Sequence, residues 1–246
     1  MDHSELKSSG ITQNTPENIL LGAGTIHKGL AYGDIYVLLS AEPEDWDTNY
    51  ANYFTKSGTD YTAVTGDTGS APAFETGKYY MKRKGWNFEE SLIGATSGGT
   101  TCNITPEITD IEVDGKLVKV KRLEVKTGET ATIETNLIEL TPDIIKALII
   151  GTEQDSADFE GYKEIVSRAQ LNDGDYLENF GYIGHRIDGR PIIIIFPNAR
   201  VSGGFSINGQ NKTAGVVTAT FECVADLSSE CDRLPYRIIY PKEETV

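Results

Sequence analysis

One run of six residues, 191–196, limits the possible folds of this chain more than any other feature of its sequence. It contains Pro191, four consecutive isoleucines and Phe196, and turn-forming residues lie on both sides of it. Such a run is too short to cross a bilayer, and β-branched side chains favour a strand over a helix. The run is therefore predicted to be a strand that is buried on both faces.

A second run, residues 216–222, has the pattern of a strand with one buried face and one solvent-exposed face. Val217, Ala219 and Phe221 alternate with two threonines and a glutamate, and successive side chains of a strand point to opposite faces. We predict that the two runs pair as the arms of one long antiparallel hairpin. The expected fold class is mainly β: an antiparallel β-sandwich or barrel whose other strands pack on this pair.

The charge balance argues against a surface that binds nucleic acid through its phosphates. The chain has 246 residues, of which 37 are acidic and 22 basic, and its net charge is −15. Tight phosphate binding needs clustered lysine and arginine, because much of the affinity comes from released counterions. A conventional nucleic-acid-binding protein is not expected.

The cysteines indicate a reducing compartment. Cys102, Cys223 and Cys231 form no C-x-x-C pair, and no histidine is spaced to complete a zinc site, so neither a metal nor a disulfide framework is predicted. The first residues are polar, and no run approaches the roughly 20 apolar residues of a membrane-spanning helix. The expectation is a soluble protein that folds in the cytoplasm.

Composition divides the chain into a main domain and an insert. Residues 1–40 and 86–246 are predicted to form the main β domain, with residues 1–16 as a flexible polar arm. Residues 41–85 are rich in aromatic residues, Thr, Gly, Asp and Ala but poor in Leu, Ile and Val. A connection of this length without structure is uncommon in compact domains. We therefore predict a small β module on the outer surface, with a hairpin within residues 53–64.

The aromatic residues of this insert allow two interpretations. Exposed tryptophan and tyrosine rings stack on sugars, which would make the module a carbohydrate-binding surface. Alternatively the rings form the module's own small core, because so short a segment has little else to bury. The candidate outer-surface aromatics are Trp46, Tyr50, Tyr53 and Tyr61.

Two local signals predict further elements. Asp114-Gly115 lies between alternating apolar runs and predicts a hairpin turn. Residues 141–151 predict a helix, with Thr141 as N-cap, Pro142 at the first position and Gly151 as a left-handed stop. This helix is expected to plug one side or end of the sandwich.

Two polar stretches are candidate surfaces. Residues 91–101 are predicted to be a flexible Gly/Ser/Thr loop, and they lack the lysine and the following helix that a phosphate-binding loop needs. Residues 153–178 hold eight acidic and two basic residues and predict a solvated acidic surface. An Asp-x-Asp pair within them lacks the remaining ligand positions of a calcium loop. The candidate acidic-surface residues are Asp155, Asp158, Glu160, Asp173 and Asp175.

The sequence predicts no catalytic residue and no cofactor. His3, His27 and His185 are far apart, and none has a nucleophile or carboxylate at a recognisable spacing. An acid hydrolase, which would need a pair of carboxylates in a cleft, is the one enzymatic hypothesis left by the many acidic residues.

Six strand and turn patterns, taken in sequence order, carry a family resemblance. They are residues 17–24, 92–99, 111–115, 132–141, 175–179 and 191–195. In this order they resemble the major tail tube proteins of tailed bacteriophages, of the siphophage type. The resemblance covers about residues 20–40 and 86–225, and the insert departs from a minimal tube subunit.

This resemblance implies a structural protein of the virion tail that is assembled in the host cytoplasm. It implies a β-sandwich with a flanking helix, hexameric rings whose inner sheets join into a continuous barrel, and stacked rings that form a conduit for DNA. The implied partners are sister copies and the tape measure, tail terminator and distal tail proteins, with no membrane. Genomic DNA would pass through without specific binding.

Contacts between rings or subunits are expected from the polar arm, the Gly/Ser/Thr loop and the C-terminal tail. An open sheet has unpaired edges, and a ring that joins edges between neighbours satisfies their backbone groups. The candidate inter-subunit residues are Ile93, Gly94, Thr96, Ser97, Gly98, Gly99 and Thr100.

Substituting Trp46 and Tyr50 by alanine distinguishes the tube hypothesis from its main alternative, a surface carbohydrate-binding or adhesion module. A tube subunit should assemble as before, because the insert lies outside the tube. A carbohydrate-binding module would lose its affinity for glycans. Glycan-array binding and sedimentation of the variant beside the unsubstituted protein measure both, and loss of glycan binding with no assembly in either protein would decide against the tube.

Overall fold

The computed structural model describes residues 19–38, 53–57, 60–63, 79–209, 211–212, 214–227 and 232–242. The chain divides into a larger unit, residues 1–29 and 91–246, and a smaller unit, residues 30–90. Predictions for the N-terminal arm, for Trp46 and Tyr50 and for Cys231 lie outside the described residues.

Strands dominate the described residues, and every pairing between them is antiparallel. The predicted mainly β class is therefore confirmed. In chain order the elements are β1 (Leu20–His27), β2 (Tyr32–Leu38), β3 (Tyr53–Ser57), β4 (Asp60–Ala63), β5 (Tyr79–Trp86), α1 (Phe88–Ser91), β6 (Thr96–Asp110), β7 (Glu124–Leu137), α2 (Pro142–Leu148), β8 (Gly151–Asp155), β9 (Lys163–Ser167), a 3-10 turn (Asp173–Asp175), β10 (Tyr176–Arg186), β11 (Pro191–Val201), β12 (Ser206–Asn208), β13 (Val216–Cys223) and β14 (Arg237–Ile239).

The larger unit is organised around one sheet in the order β1-β10-β11-β13-β7-β6, with β12 paired to β13 and β14 paired to β11. The β1 end of this sheet approaches the segment just before β6, at the other end of the sheet. The Ile93 amide donates to the Ile26 carbonyl (3.0 Å), and the Lys28 amide donates to the Ser91 carbonyl (2.8 Å). No ladder joins β1 to β6 in the part of the chain that the structure describes. The sheet is therefore curled but open, and it does not close into a barrel.

One hydrophobic core draws side chains from both the sheet and α2. In β13 the side chains of Val217, Ala219 and Phe221 are buried and alternate with less buried ones, as the sequence predicts. The rings of Phe180 and Phe221 meet in this core, with centroids 4.2 Å apart. In β11, Ile195 and Phe196 point to opposite faces and both are fully buried. This confirms that the run at 191–196 is covered on both faces.

The predicted hairpin between residues 191–196 and 216–222 is wrong in its register. Residues 191–196 pair with β10 on one side, and part of the run pairs with β14 on the other. β13 instead forms its hairpin with the end of β11, Ala199–Val201, and with β12. The arms as predicted would leave a long loop between them, whereas the observed register closes the hairpin with a short one. The main partner of β13 is β7.

The predicted turn at Asp114-Gly115 is confirmed, but the strands that were predicted to flank it directly do not reach it. The Lys116 amide donates to the Val113 carbonyl (3.0 Å), and Gly115 has φ 84, a backbone angle that favours glycine. The antiparallel pair β6–β7 ends at Asp110 and Glu124. Residues 111–123 are therefore a long connecting loop.

The predicted helix is α2, and its start is as expected. The Thr141 hydroxyl accepts from the Ile144 amide (3.3 Å), and Ile144 and Leu148 are buried. The predicted stop at Gly151 is wrong, because the helix already ends at extended Ile149. Gly151 instead begins β8, where a Cβ atom would lie 2.5 Å from the Ile165 Cγ2. Close packing on β9 explains the glycine here.

The smaller unit has its own sheet in the order β2-β5-β3-β4. The hairpin predicted within residues 53–64 is present as β3 and β4, with Ser57 opposite Asp60. The compact unit spans residues 30–90, whereas the predicted insert spans 41–85. The difference arises because β2, predicted in the main domain, pairs along its whole length with β5. Trp86 stacks on Phe88, with ring centroids 6.3 Å apart.

Removing the helix cap with Thr141→Ala should lower the free energy of unfolding by about 1 kcal/mol, because the Ile144 amide loses its acceptor. Thr141→Ser keeps the hydroxyl and is the matched control. Urea denaturation of both variants measures the difference. Equal stability of the two would mean that the cap contributes nothing.

Candidate functional site

A buried histidine and a buried serine meet in the larger unit. His27 lies at the end of β1 and is 2% exposed, and its Nδ1 is 2.9 Å from the Ser91 hydroxyl oxygen. Its Nε2 is 2.8 Å from the Thr25 hydroxyl oxygen. No sequence pattern indicates this pair, because the two residues are 64 positions apart.

The geometry of this pair is that of a structural contact. Ser91 is 5% exposed, so its hydroxyl is enclosed rather than open to a substrate. A nucleophilic serine needs a base that is itself oriented by a third group and a free approach for the acyl carbon. Here the second ring nitrogen meets a threonine hydroxyl. The pair fixes the segment before β6 against β1.

A small cleft brings two carboxylates of the acidic stretch together. It has a volume of about 300 Å³, and its lining includes Lys146, Glu153, Arg168 and Asp175. Both carboxylates are held by cations: Lys146 Nζ is 2.7 Å from Glu153 Oε2, and Arg168 pairs with Asp175. The arrangement is thus one of two adjacent ion pairs.

These ion pairs hold both carboxylates in the ionised form. The Lys146 ammonium, bonded to Glu153, lowers the pKa of that carboxyl. Burial alone would raise the pKa of Asp175, but the Asn172 amide and the Arg168 guanidinium outweigh it and lower the pKa below 3.8. An acid hydrolase needs one carboxyl whose pKa is raised so that it can donate a proton. This cleft provides the opposite electrostatics.

No group of three or more His, Cys, Asp or Glu side chains suited to a metal ion is found among the described residues. Within the same part of the chain, no helix is long and apolar enough to span a membrane.

The structure separates the candidate acidic residues into two groups. Asp155, Asp158 and Glu160 are exposed around the connection between β8 and β9, and Asp173 is exposed at the 3-10 turn. Asp175 has a different role. It accepts from the Asn172 amide (2.7 Å) as well as pairing with Arg168, so it holds the turn before β10.

The candidate inter-subunit residues lie just before β6 and in its first residues, and the prediction of a flexible loop at 91–101 is wrong for Thr96 to Thr101. Ile93 packs partly against the core, and Thr96 to Thr101 belong to β6. The ladder with β7 shifts register between Thr96 and Thr100. Gly98 and Gly99 supply the positive φ angles, 80 and 89, at this irregularity. The serines, threonines and glycines of this stretch are typical of a loop. They form a bulged strand only because they pair with β7, which is distant in sequence.

The outer edge of β6 is an open edge of the sheet, although β1 comes close to this strand. One side of β6 pairs with β7, and no described strand pairs with the other side. The bulge at the start of β6 interrupts this edge, and Pro106 and Glu107 follow farther along it. Between them, residues 100–105 carry no charge and no proline. Charges and prolines are the usual protections of exposed edges.

Beyond this stretch, β6 and β7 continue as a two-stranded ribbon. Side chains of Thr105 to Thr109 and of Glu124 to Thr127 are exposed. The connecting loop, residues 111–123, exposes large apolar side chains, among them Leu117 and Val118. The sequence predicts the turn but not this exposure, because the alternating pattern is typical of strands with a buried face.

Of the candidate aromatics, Tyr53 lies in β3 opposite Met81 of β5, and Tyr61 lies in β4 opposite Lys56. Trp46 and Tyr50 lie outside the described residues. The carbohydrate-binding interpretation of the insert stays a prediction.

No protein-family model matches this sequence, and no curated protein matches it either.

Replacing Asp175 by asparagine tests the ion pair behind the 3-10 turn. The folded-state pKa of Asp175 is lower than the ordinary 3.8, so the pair stabilises the protein above that pH and is lost as the pH falls through the folded-state pKa. Asp175→Asn should lower the free energy of unfolding at pH 7 by about 1.5–3 kcal/mol.

The same variant should also lose less stability than the unsubstituted protein when the pH falls below 3.8. Urea denaturation at several pH values measures both effects. Asp173→Asn removes the neighbouring exposed carboxylate and is the control. If the two variants were equally stable at pH 7, the ion pair would not have the role assigned to it.

Proposed function

We propose that this chain is the structural subunit of a bacteriophage tail tube, in which copies join by their sheet edges into hexameric rings that stack into a conduit for DNA. The resemblance of six ordered strand and turn patterns supports the proposal. So does the mainly β, antiparallel sheet with a flanking helix, α2, in the larger unit. In the proposed assembly the larger unit is the sandwich of the tube wall.

The open outer edge of β6 carries the proposal. Every backbone amide and carbonyl on that edge needs a hydrogen-bond partner, either water or another strand. A long exposed edge is a template for pairing with a further chain, and proteins that stay monomeric protect it. The uncharged stretch at residues 100–105 lacks such protection. In a ring, a sister copy supplies the missing partner and leaves no free edge.

The acidity of the chain agrees with a conduit that does not hold its cargo. The net charge is −15. Carboxylates on a wall repel DNA phosphates over about 8 Å at physiological salt, since the Debye length sets that range. DNA then moves through hydrated space without specific binding. By the resemblance, the other partners are the tape measure, tail terminator and distal tail proteins of the virion.

Placing lysines on the edge tests the proposal. The unsubstituted protein should form rings or tubes in sedimentation velocity and negative-stain microscopy. The double variant Thr101→Lys/Asn103→Lys should remain folded but sediment mainly as a monomer, because two exposed cations on one edge oppose strand pairing. Thr218→Lys adds one exposed lysine to the interior strand β13 and should still assemble.

Two results would contradict the proposal. One is a monodisperse monomer of the unsubstituted protein at high concentration. The other is full assembly of the edge variant, which would show that copies join elsewhere.

A further inference from the structure

Two exposed loops of the larger unit carry opposite charge and matching apolar side chains. We call residues 111–123 the basic loop and residues 155–162 the acidic tip. We propose that the basic loop of one copy docks on the acidic tip of a neighbouring copy, as the two halves of one head-to-tail contact. This inference rests on the proposed function, because it requires that the chain assembles with itself.

The basic loop exposes an aliphatic patch beside unpaired cations. Leu117 is 96% exposed and Val118 is 71% exposed. Lys116 is engaged by Asp110, with Nζ 2.9 Å from Oδ1. For Lys121 and Arg122 no ion pair is found within the described ranges, and both side chains are exposed. Large exposed apolar groups beside charges are typical of protein contacts.

These two cations lie in a tight turn, and one of them has a backbone conformation that is unfavourable for its residue type. The Leu123 amide donates to the Val120 carbonyl (3.0 Å), so Lys121 and Arg122 occupy the centre of a tight turn. Arg122 has φ 73, in the left-handed region where glycine is preferred. Such a conformation is uncommon for an arginine and is more frequent at functional positions.

The acidic tip has the complementary composition. Phe159 is 66% exposed and Tyr162 is 71% exposed, and their ring centroids are 6.2 Å apart in an edge-to-face pair. The tip is ordered by two backbone bonds, from the Ser156 amide to the Tyr162 carbonyl (2.9 Å) and from the Tyr162 amide to the Phe159 carbonyl (3.2 Å). Asp158 and Glu160 flank the rings, are exposed, and have no ion pair among the residues described.

Charge complementarity selects a second copy as the occupant. The chain as a whole is strongly acidic, with net charge −15, so an exposed pair of cations beside aliphatic groups is a local exception. The same chain presents the matching surface, an aromatic pair with carboxylates around it. Apolar contact at the centre with charges at the rim is the usual composition of a protein interface. A contact between two different patches repeats from copy to copy and generates rings or filaments.

Charge exchange tests the contact. One variant reverses the basic loop, Lys121→Glu/Arg122→Glu, and a second reverses the acidic tip, Asp158→Lys/Glu160→Lys. Each alone places like charges opposite each other, and each should raise the protein concentration needed for assembly roughly tenfold or more. Mixing the two variants restores opposite charges at every contact, and so does combining all four substitutions in one chain. Sedimentation velocity should show assembly restored in both cases.

The control variant Lys28→Glu/Arg237→Glu makes the same change in net charge as the reversed basic loop, at exposed positions elsewhere, and it should assemble normally. Circular dichroism checks that each variant is folded. The inference is overturned if either reversed variant assembles like the unsubstituted protein, or if both lose assembly and neither the mixture nor the fourfold variant recovers it. Failure of the unsubstituted protein to assemble would instead contradict the proposed function itself.

Discussion

The backbone hydrogen bonds of an antiparallel sheet are the constraint on which the rest of this protein depends. Strands inside the sheet, such as β13 between β7 and its partners β11 and β12, use both of their edges. A strand at either end of the sheet has one unpaired edge. The backbone amides and carbonyls of that edge need hydrogen-bond partners, whether they are buried or exposed. The curl of the sheet brings β1 to the segment before β6, yet it leaves the long outer edge of β6 open.

Apolar and charged side chains have separate roles around this sheet. The core is made by the alternating side chains of β7, β10, β11 and β13 together with α2, and it holds the strands in register because a one-residue slip would turn the apolar side chains outward. The charged groups are mostly outside it. Some, such as Glu153 and Asp175, are fixed in ion pairs. Others, such as Asp158 and Glu160, remain exposed and available for contacts.

Sequence patterns predicted the individual elements of this fold better than they predicted which elements pair with each other. The alternation in β13, the isoleucine run in β11 and the cap at Thr141 are local signals, and all three are confirmed. The partner of residues 191–196 is set by loop length and by competition among several apolar strands, so it could not be read from either run alone. The loop prediction at 91–101 was wrong for a similar reason: only pairing with β7 makes those polar residues a strand.

The candidate site was predictable only in part. The acidic stretch was recognised, but the sequence did not separate the ion-paired Asp175 from its exposed neighbours, because Arg168 reaches it only when the turn before β10 has formed. The contact between His27 and Ser91 joins residues that are distant in sequence. The outer edge of β6 is a property of the assembled sheet, and no single segment carries it.

Hydrogen exchange along β6 tests the central claim most directly. The amides of residues 100–105 that face away from β7 should exchange at least about tenfold more slowly at a concentration where the protein assembles than at one where it is monomeric, because a sister strand then accepts from them. Amides of the central strand β13 should change little and serve as the internal reference. If the protein assembled while the outward amides of β6 exchanged as fast as in the monomer, copies would not be joining by this edge.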